Sequence, residues 1–488
     1  MQISFNHLDQ LLSDVRLQFK SQYIQSNPFF YIVKPTDENL VRYNVKYPNS
    51  SLFLLIAYLL FLPQALSLII QSLAHSILQL KETNFFEKQR FSSSHNLMVS
   101  HFTHSQKYSE SDVIFGFNSL EADTTVFYLN HTRLPLEDIY SKFREFGKEN
   151  VVLNSKSLKP LTIAFIQFQQ IKPSLALLKY AINLNKQKDI VLKRILIKAA
   201  ISQYSRAHIA NLVLLRRLEY IMKRIQPKNI ILTLEGHAFE NSIIKLRNCS
   251  FANTRILGFQ HAPVVPSQRD FYRNISLLDA SDLVMTTGKR IHKVILDKSP
   301  RAKVRIIGSP KAKPSNTTLK SRKRIRILGA PEGTVQSLTS FADLFGELAL
   351  SLPEFDFKLR FHPSLSKREI NRTQSQLKSA NLFEISQSTL EEDLTDSHFT
   401  IFRSSAVGIE GLNFGSIPIH FDSGGTGALN PLYDTQFDQL TFTSKTQLIA
   451  FFLNSDYKQY LSEEYRATAY QLYGDYFEPL KNIHLITS

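Results

Sequence analysis

Apolar and polar positions change rhythm twice along the chain. Residues 1–30 are mixed and polar, without the apolar core of a secretory signal. Tyr47–Leu80 then carries no Asp, Glu, Lys or Arg, and within it Leu52–Ile70 reads LFLLIAYLLFLPQALSLII. A helix of that length covers about 28 Å, close to a bilayer core. Pro63 and Gln64 interrupt the run. Three readings stay open: a kinked helix lying in or dipping into one leaflet, a spanning helix, and a buried helix of a soluble domain. Arg42 and Lys46 before the run and Lys81 and Lys88 after it set no orientation.

After Lys81, short apolar runs alternate with longer amphipathic ones. The pattern predicts strands at Asn96–Ser100, Thr124–Asn130, Val151–Leu153, Asn229–Leu234, Arg255–Phe259 and Asp282–Thr286. Helices are expected at Ser174–Ser202, Arg206–Ile225 and Ala238–Asn248, with a further one ending at Leu296. In 206–225, Ile209, Leu212, Leu215 and Tyr220 sort onto an apolar face, and Arg216, Arg217, Lys223 and Arg224 onto a basic one. Gly308–Arg324, rich in Pro, Ser and Lys, reads as an exposed hinge. Beyond it the pattern predicts strands at Arg324–Gly329, Phe357–Phe361, Phe399–Arg403 and Ile417–Phe421. Helices are expected at Val335–Ser351, Lys367–Ser379, Ala406–Phe414, Lys445–Asn454 and Tyr457–Tyr473. Strands alternating with helices build parallel sheets. The expected fold is therefore α/β, with two Rossmann-like domains facing a cleft and an apolar helical segment before them. The divisions are 1–90 for the apolar N-terminal region, 91–308 for the first Rossmann-like domain, 309–323 for a linker, and 324–488 for the second domain with its terminal helices.

Composition agrees: 488 residues suit about two or three domains. Hydrophobic residues at 43% and charged residues at 20% exclude long disorder. The single cysteine, Cys249, permits neither an intramolecular disulfide nor a Cys-based zinc site, and is expected as a small buried side chain. The net charge of +16 is concentrated. Residues 301–326 hold ten Lys or Arg and no acid, and 179–224 hold eleven against Asp189 and Glu219. Such surfaces attract phosphate, in nucleotides or in anionic lipid headgroups. No nucleic-acid motif accompanies the charge, so nucleic acid is not an expected partner.

Five segments place reactive side chains where a strand ends. Ligands of parallel sheets bind at the carboxyl ends of strands. Glu235 and His237, in Leu234-Glu235-Gly236-His237-Ala238-Phe239-Glu240, follow one strand directly. A carboxylate there can act as a general base, with Glu240 one turn into the next helix to orient a partner; alternatively Glu235 only caps that helix. Gln260 and His261 follow the next strand, where the imidazole either binds substrate oxygens or is a loop residue held by backbone bonds. Gly329-Ala330-Pro331-Glu332-Gly333-Thr334 offers free N–H groups to a phosphate or ribose. Arg360-Phe361-His362-Pro363 delivers a histidine to the sheet edge. Arg403-Ser404-Ser405-Ala406 runs from a strand end into a helix, where either serine is a phosphate ligand or an N-cap. No Asp-x-Asp, HExxH or Gly-x-Ser-x-Gly motif occurs.

With these segments in order, the chain resembles a bacterial family of surface-carbohydrate biosynthesis proteins with the GT-B fold. The resemblance rests on LEGHAFE (234–240), GFQHA (258–262), TTG (286–288), GSP (308–310), APEG (330–333), RFHPS (360–364) and RSSAVGIEGLNFGSIPI (403–419). The His-Pro and Ser-Ser pairs are similar to the nucleotide motifs of bacterial sialyltransferases, polysialyltransferases and Kdo transferases, which use CMP-activated sugars without a metal. The resemblance implies Glu235 as the base, and His362 with Ser404 or Ser405 on the donor phosphate. Together with the residue reading, it gives an inverting glycosyltransferase with His237 and Glu240 beside Glu235. Gln260 and His261 then contact substrate. Arg360, His362, Pro363, Ser404 and Ser405 surround the donor phosphate, Glu332 and Gly333 line the nucleotide pocket, and Glu410 reaches a ribose hydroxyl. No metal or cofactor is expected beyond the nucleotide-sugar co-substrate. The acceptor is a surface polysaccharide or glycolipid. The expected location is the cytoplasmic face of the inner membrane, with the basic helices of 179–224 toward an anionic membrane surface or glycan. Two rivals share the frame: a polyol-phosphate transferase using a CDP-linked donor, and a non-catalytic polysaccharide-assembly protein.

Overall fold

The computed structural model describes residues 59–88, 94–313 and 324–481, with breaks at 104–105, 111, 113, 117–122, 133, 155–157, 185–189, 267, 269–276, 364, 366, 377–381 and 424–428. Before residue 59 it describes 12, 14–15, 18–19 and 26–30. Residues 52–58 of the apolar run, 314–323 of the linker, Ser364 and the end of the helix expected to Ser379 lie outside the described residues.

Two parallel sheets organise the chain. The first contains β1 (Asn96–Phe102), β2 (Thr124–Asn130), β3 (Val151–Asn154), β4 (Asn229–Thr233), β5 (Arg255–Gln260), β6 (Leu283–Thr286) and β7 (Val304–Ile306), in the order β3-β2-β1-β4-β5-β6-β7. The second contains β8 (Arg326–Ala330), β9 (Asp356–Leu359), β10 (Glu384–Ile385), β11 (Phe399–Phe402), β12 (Ile417–Phe421) and β13 (Thr441–Phe442), in the order β10-β9-β8-β11-β12-β13. Strands such as β4, β11 and β12 are buried throughout, as parallel strands covered on both faces must be. Strand order reverses at β1/β4 in the first sheet and at β8/β11 in the second. A crevice opens at the carboxyl ends beside such a reversal. Two Rossmann-like domains facing a cleft, the GT-B arrangement, is the observed architecture.

Helices cover both sheets. In chain order they are α1 (Phe61–Leu78), α2 (Leu80–Lys88), α3 (Leu136–Glu145), α4 (Pro160–Gln169), α5 (Ile171–Asn183), α6 (Ile190–Ser202), α7 (Arg206–Ile225), α8 (Ala238–Ser250), α9 (Leu277–Ala280) and α10 (Lys289–Lys298). The second domain adds α11 (Val335–Ser351), α12 (Lys367–Gln376), α13 (Leu390–Thr395), α14 (Val407–Leu412), α15 (Lys445–Leu453) and α16 (Glu463–Tyr476). Helix α11 shows the local logic. Thr334 caps it by accepting the Ser337 N–H at 3.1 Å. Its stripe of Leu338, Phe341, Phe345 and Leu348 is buried, each side chain contributing about 1.5–3 kcal/mol. Phe345 lies on Gly329 of β8, where an added Cβ would fall 2.5 Å from the ring.

Several expectations are corrected. Ser174–Ser202 is two helices, α5 and α6, packed together; α5 ends where Leu184 turns extended, at φ −67° and ψ 139°. Arg217 belongs to the buried side of α7, over the Phe86 ring at 4.0 Å. Tyr220 is half-exposed and carries Arg224 over its ring at 4.7 Å. Tyr457–Tyr473 is a 3-10 turn, Asp456–Leu461, followed by α16, which Ser462 caps. Cys249 is exposed on α8.

Helix α1 starts at Phe61, after a turn at Leu60, and Pro63 belongs to it. The proline falls in the first turn, where a missing N–H costs no helical bond. The helix continues to Leu78, and of its 18 residues only Ala65, Ser72 and Ser76 are buried. It is long and apolar enough to cross a membrane by length and composition. This exposure argues against the buried helix of a soluble domain.

The start of the expected exposed hinge is covered. Gly308 and Ser309 lie under the C-terminal segment, which leaves α16 and returns to the first sheet. Glu478 N–H donates to Thr287 O at 2.9 Å, Ser309 N–H to Glu478 O at 2.8 Å, and Lys481 N–H to Ile307 O at 2.9 Å. Gly308 has φ +90°, and a Cβ there would meet the Pro479 carbonyl oxygen at 2.3 Å. Gly308→Ala is therefore expected to cost about 2 kcal/mol or more, lowering Tm by about 4 °C or more. An unchanged melting curve would show that this strap does not hold the domains.

Candidate active site

The first cluster sits at the β1/β4 reversal. β4 ends at Thr233, and Gly236, at φ +90°, turns the chain into α8. Glu240 organises that turn. Fully buried, it accepts the N–H groups of Glu235 at 3.1 Å, Gly236 at 2.8 Å and His237 at 2.9 Å, and the Thr233 hydroxyl at 2.8 Å. Burial pushes its carboxyl up to about 7, opposed by the His237 charge and by these donors. A group so enclosed positions the loop and does not touch substrate.

Glu235 projects from the organised turn. His237 Nε2 lies 3.1 Å from one of its oxygens and His261 Nε2 3.2 Å from the other. A carboxylate can only accept, so each ring directs Nε2–H at it. His261 Nδ1 and Gln260 Oε1 are then buried acceptors without a hydrogen-bond partner among the described residues. His261, whose side chain is partly exposed, suits a ligand that brings a hydroxyl group, whereas Gln260 is as fully enclosed as Glu240.

Two histidines that the sequence did not single out complete the cluster. His101, near the end of β1, places Nδ1 2.7 Å from His131 Nε2, just after β2, with the rings stacked at 4.9 Å. The imidazole of His101 also packs edge-on against Phe239, on which His237 stacks. Burial, then the His131 charge, pulls His101 down to about 4; burial also lowers His261. The same carboxyl-end rule, applied to β1 and β2, would have found both. Buried Asp112, after β1, was also missed. One of its oxygens accepts the N–H groups of Ile114 and Phe115 at 2.9 Å each, and burial raises its carboxyl.

These neutral imidazoles have a measurable consequence. The unfolded-chain histidine value is about 6.5, while His101 and the buried His420 lie at about 4. Between those values the unfolded chain binds the proton and the native chain does not. The histidine contribution to stability is therefore expected to be full above about pH 6.5 and to be lost as pH drops toward 4, with the raised carboxyl of Glu240 acting in the opposite direction over the same range. His420→Phe should flatten this acid limb of a Tm-versus-pH profile; an unchanged limb would assign it to other groups.

The second cluster sits at the β8/β11 reversal. The Ser404 hydroxyl donates to Glu332, and Arg403 reaches the other Glu332 oxygen at 3.7 Å while its Nε donates to buried Asp422 at 2.8 Å. The Ser405 oxygen accepts the Val407 N–H at 3.2 Å, at the start of the short α14. His362, after β9, is half-buried; burial lowers its pKa and the nearby Glu332 charge raises it. Gly333 adjoins Glu332 in the turn before α11, and Pro363 is exposed. The structure thus brings together His362, Glu332, Gly333, Ser404 and Ser405, and adds Arg403.

Arg360 stands apart. Its guanidinium donates to Ser388 O and to Asp393, each at 2.7 Å, in a buried network where Lys358 also pairs with Asp393 at 2.9 Å. That engagement makes it a structural cation of the β9–α13 edge. Glu410 lies on α14 and pairs with Lys311 at 2.6 Å.

Between the sheets lies a cavity of 340 Å³. The segment after β1 lines one wall with Gln106 and Asp112; α13 and α14, after β10 and β11, line the other with Glu391 and Glu410. Lys311 joins the walls, and both it and Asp112 act electrostatically on His261. Of the candidate side chains, Asp112 and Glu410 line the cavity; neither the Glu235 cluster nor the Glu332–Ser404 cluster does, and its link to the first is the electrostatic action of Lys311 and Asp112 on His261. Its volume is in the range of small-ligand sites.

No protein-family model matches the chain, and no curated protein matches it. Among solved structures it is similar to a glycosyltransferase from Rickettsia africae, at 14% identity over 81% of this chain and 96% of that one, with a TM-score of 0.41. It is similar to the UDP-GlcNAc 2-epimerase from Neisseria meningitidis bound to UDP-GlcNAc, at 10% identity over 78% and 94%, TM-score 0.39. A third similarity is to a chain of the GtfA/B complex, at 14% identity over 56% of this chain, TM-score 0.36; the chain spans 58% of that relative's length.

Proposed function

We propose that the chain is an inverting, metal-independent glycosyltransferase that moves a sugar from a nucleotide donor, CMP-linked, to a surface polysaccharide or glycolipid acceptor. The observation that carries this reading is the pairing of sites. A carboxylate held by two imidazoles stands at the strand reversal of one sheet, and a cluster of hydroxyl, imidazole and guanidinium donors at that of the other.

In the proposed reaction Glu235 takes the proton of an acceptor hydroxyl while that oxygen bonds to the anomeric carbon. The bond from this carbon to the donor phosphate breaks, and the nucleotide leaves with the phosphate. His237 and His261 hold Glu235 in place and donate to it. His261 Nδ1 receives an acceptor hydroxyl. His362, Ser405 and Arg403 supply donors for the charge that grows on the leaving phosphate. Glu332, held by Ser404, suits a ribose hydroxyl better than a phosphate, because it is an anion.

The proposed setting is the cytoplasmic face of the inner membrane. The exposed side of α1 presents Leu62, Leu66 and Ile70, and α4 beside it presents Leu161, Phe165 and Phe168. A contiguous apolar surface of this kind suits a membrane interface.

Product analysis tests the reaction. With CMP-sugars and a glycolipid extract, acceptor-dependent release of CMP and a product lacking donor phosphate are expected. A product that retains the phosphate would instead mark polyol-phosphate transfer from a CDP-linked donor.

A further inference from the structure

A second cavity, of 420 Å³, lies between α1, α4 and α7, away from the cleft. Its polar lining is Ser72 and His75 of α1 and Arg206 of α7; Ile163, Ile209 and Ala210 form apolar wall. No carboxylate among the described residues lines it. Arg206 Nη2 lies 3.2 Å from His75 Nδ1, and no acidic group among the described residues pairs with this guanidinium. Ser72 is 4% exposed, and its hydroxyl has no hydrogen-bond partner among the described residues.

Three features converge on an anion. Arg206 opens the 20-residue helix α7, whose first-turn N–H groups and dipole favour negative charge. The unpartnered Ser72 hydroxyl is a buried donor that a ligand oxygen would satisfy. The apolar remainder of the cavity would leave a small hydrophilic ion poorly solvated, but accommodates the first carbons of a lipid. The exposed apolar side of the same helix α1 supplies the surface from which such a lipid would enter.

We propose that this cavity binds the phosphate headgroup of a membrane lipid, with Arg206 as its charge partner, Ser72 and His75 as hydrogen-bond donors, and Ile163 and Ile209 against the start of its chain. The inference rests on the membrane-surface reading and deepens it. It turns a general apolar attachment into recognition of an anionic lipid at one defined position.

The test uses the purified full chain and co-sedimentation with two vesicle types, phosphatidylcholine alone and phosphatidylcholine containing phosphatidate. Wild type is expected to bind both, the phosphatidate vesicles about tenfold more tightly. Arg206→Gln, at an exposed position, should remove that preference and keep the binding to neutral vesicles. Ser72→Ala should weaken the preference without lowering Tm in the absence of lipid, since the hydroxyl has no partner to lose. Equal binding of both vesicle types by wild type would overturn the headgroup site and leave the membrane reading standing. Failure to bind either would overturn both. An unchanged preference in Arg206→Gln would place the charge recognition elsewhere. If inorganic phosphate alone raised the Tm of wild type but not of Arg206→Gln, the site would be one for free phosphate and the lipid assignment would fall.

Discussion

Glu235→Gln is expected to lower kcat by about 10²-fold or more, the usual scale for a lost general base, with donor affinity unchanged. The substitution keeps size and removes both charge and basicity. It also introduces an NH₂ that must face one of two imidazole N–H groups, so either His237 or His261 loses its acceptor or changes tautomer. Gross unfolding is not expected. The loop is held by Glu240, which accepts three backbone N–H groups and the Thr233 hydroxyl, and the substitution leaves that carboxylate in place. Donor affinity should survive because the donor cluster lies on the other sheet. Single-turnover rates with donor saturating, read beside Tm, separate chemistry from stability. A rate within threefold of wild type would remove Glu235 as base and leave His237, the more exposed of the paired imidazoles, as the group to test.

His362→Ala is expected to act on the other half of the reaction, weakening nucleotide binding and slowing transfer together. A charge-assisted hydrogen bond is worth about 1.5–3 kcal/mol, which corresponds to roughly 10- to 100-fold in affinity. The loss in kcat should be at least as large, since the phosphate carries more charge in the transition state than in the bound donor. The two serines provide the contrast. Ser405 already accepts the Val407 N–H, so Ser405→Ala should lower stability by about 1 kcal/mol in addition to any effect on affinity. Ser404→Ala removes the hydroxyl that holds Glu332, so it should act through the ribose side. Nucleotide affinity unchanged in His362→Ala would show that the imidazole only packs in its loop.

The parts of the fold that repeat along the chain were legible in the sequence. Thr124–Asn130, Arg206–Ile225, Val335–Ser351 and Ile417–Phe421 have the same limits in the pattern and in the structure. Their apolar runs are long enough, or their stops sharp enough, to fix both ends. Positions of Glu235, His261, His362 and Ser404 at strand ends follow from strand–helix alternation alone. Partner choice did not. His101 and His131 are 30 residues apart and meet because β1 pairs with β2 in a register that sets His101 opposite Leu129. Arg360 sits two residues from His362, yet turns to Asp393, whose nearness depends on α13, an element the pattern missed. Arg217 could have been read correctly. Consecutive helical residues lie about 100° apart, so Arg216 and Arg217 cannot share a face. Arg217 falls in line with Val213 and Ile221, both buried. Pro63 lies in the first turn of α1, just after the turn at Leu60 that separates helical Leu59 from Phe61, the place where a proline costs no helical bond.

The central claim is that a nucleotide-sugar donor binds across this cleft on the second sheet. Its most direct test is the melting temperature of the full chain titrated with CMP, CDP, UDP and ADP, because a ligand that binds the native state raises stability in proportion to its affinity. A saturable rise with CMP, weaker with the other nucleotides and lost in His362→Ala but kept in Glu235→Gln, is the predicted result. No rise with any nucleotide, or one that His362→Ala leaves intact, would contradict the claim.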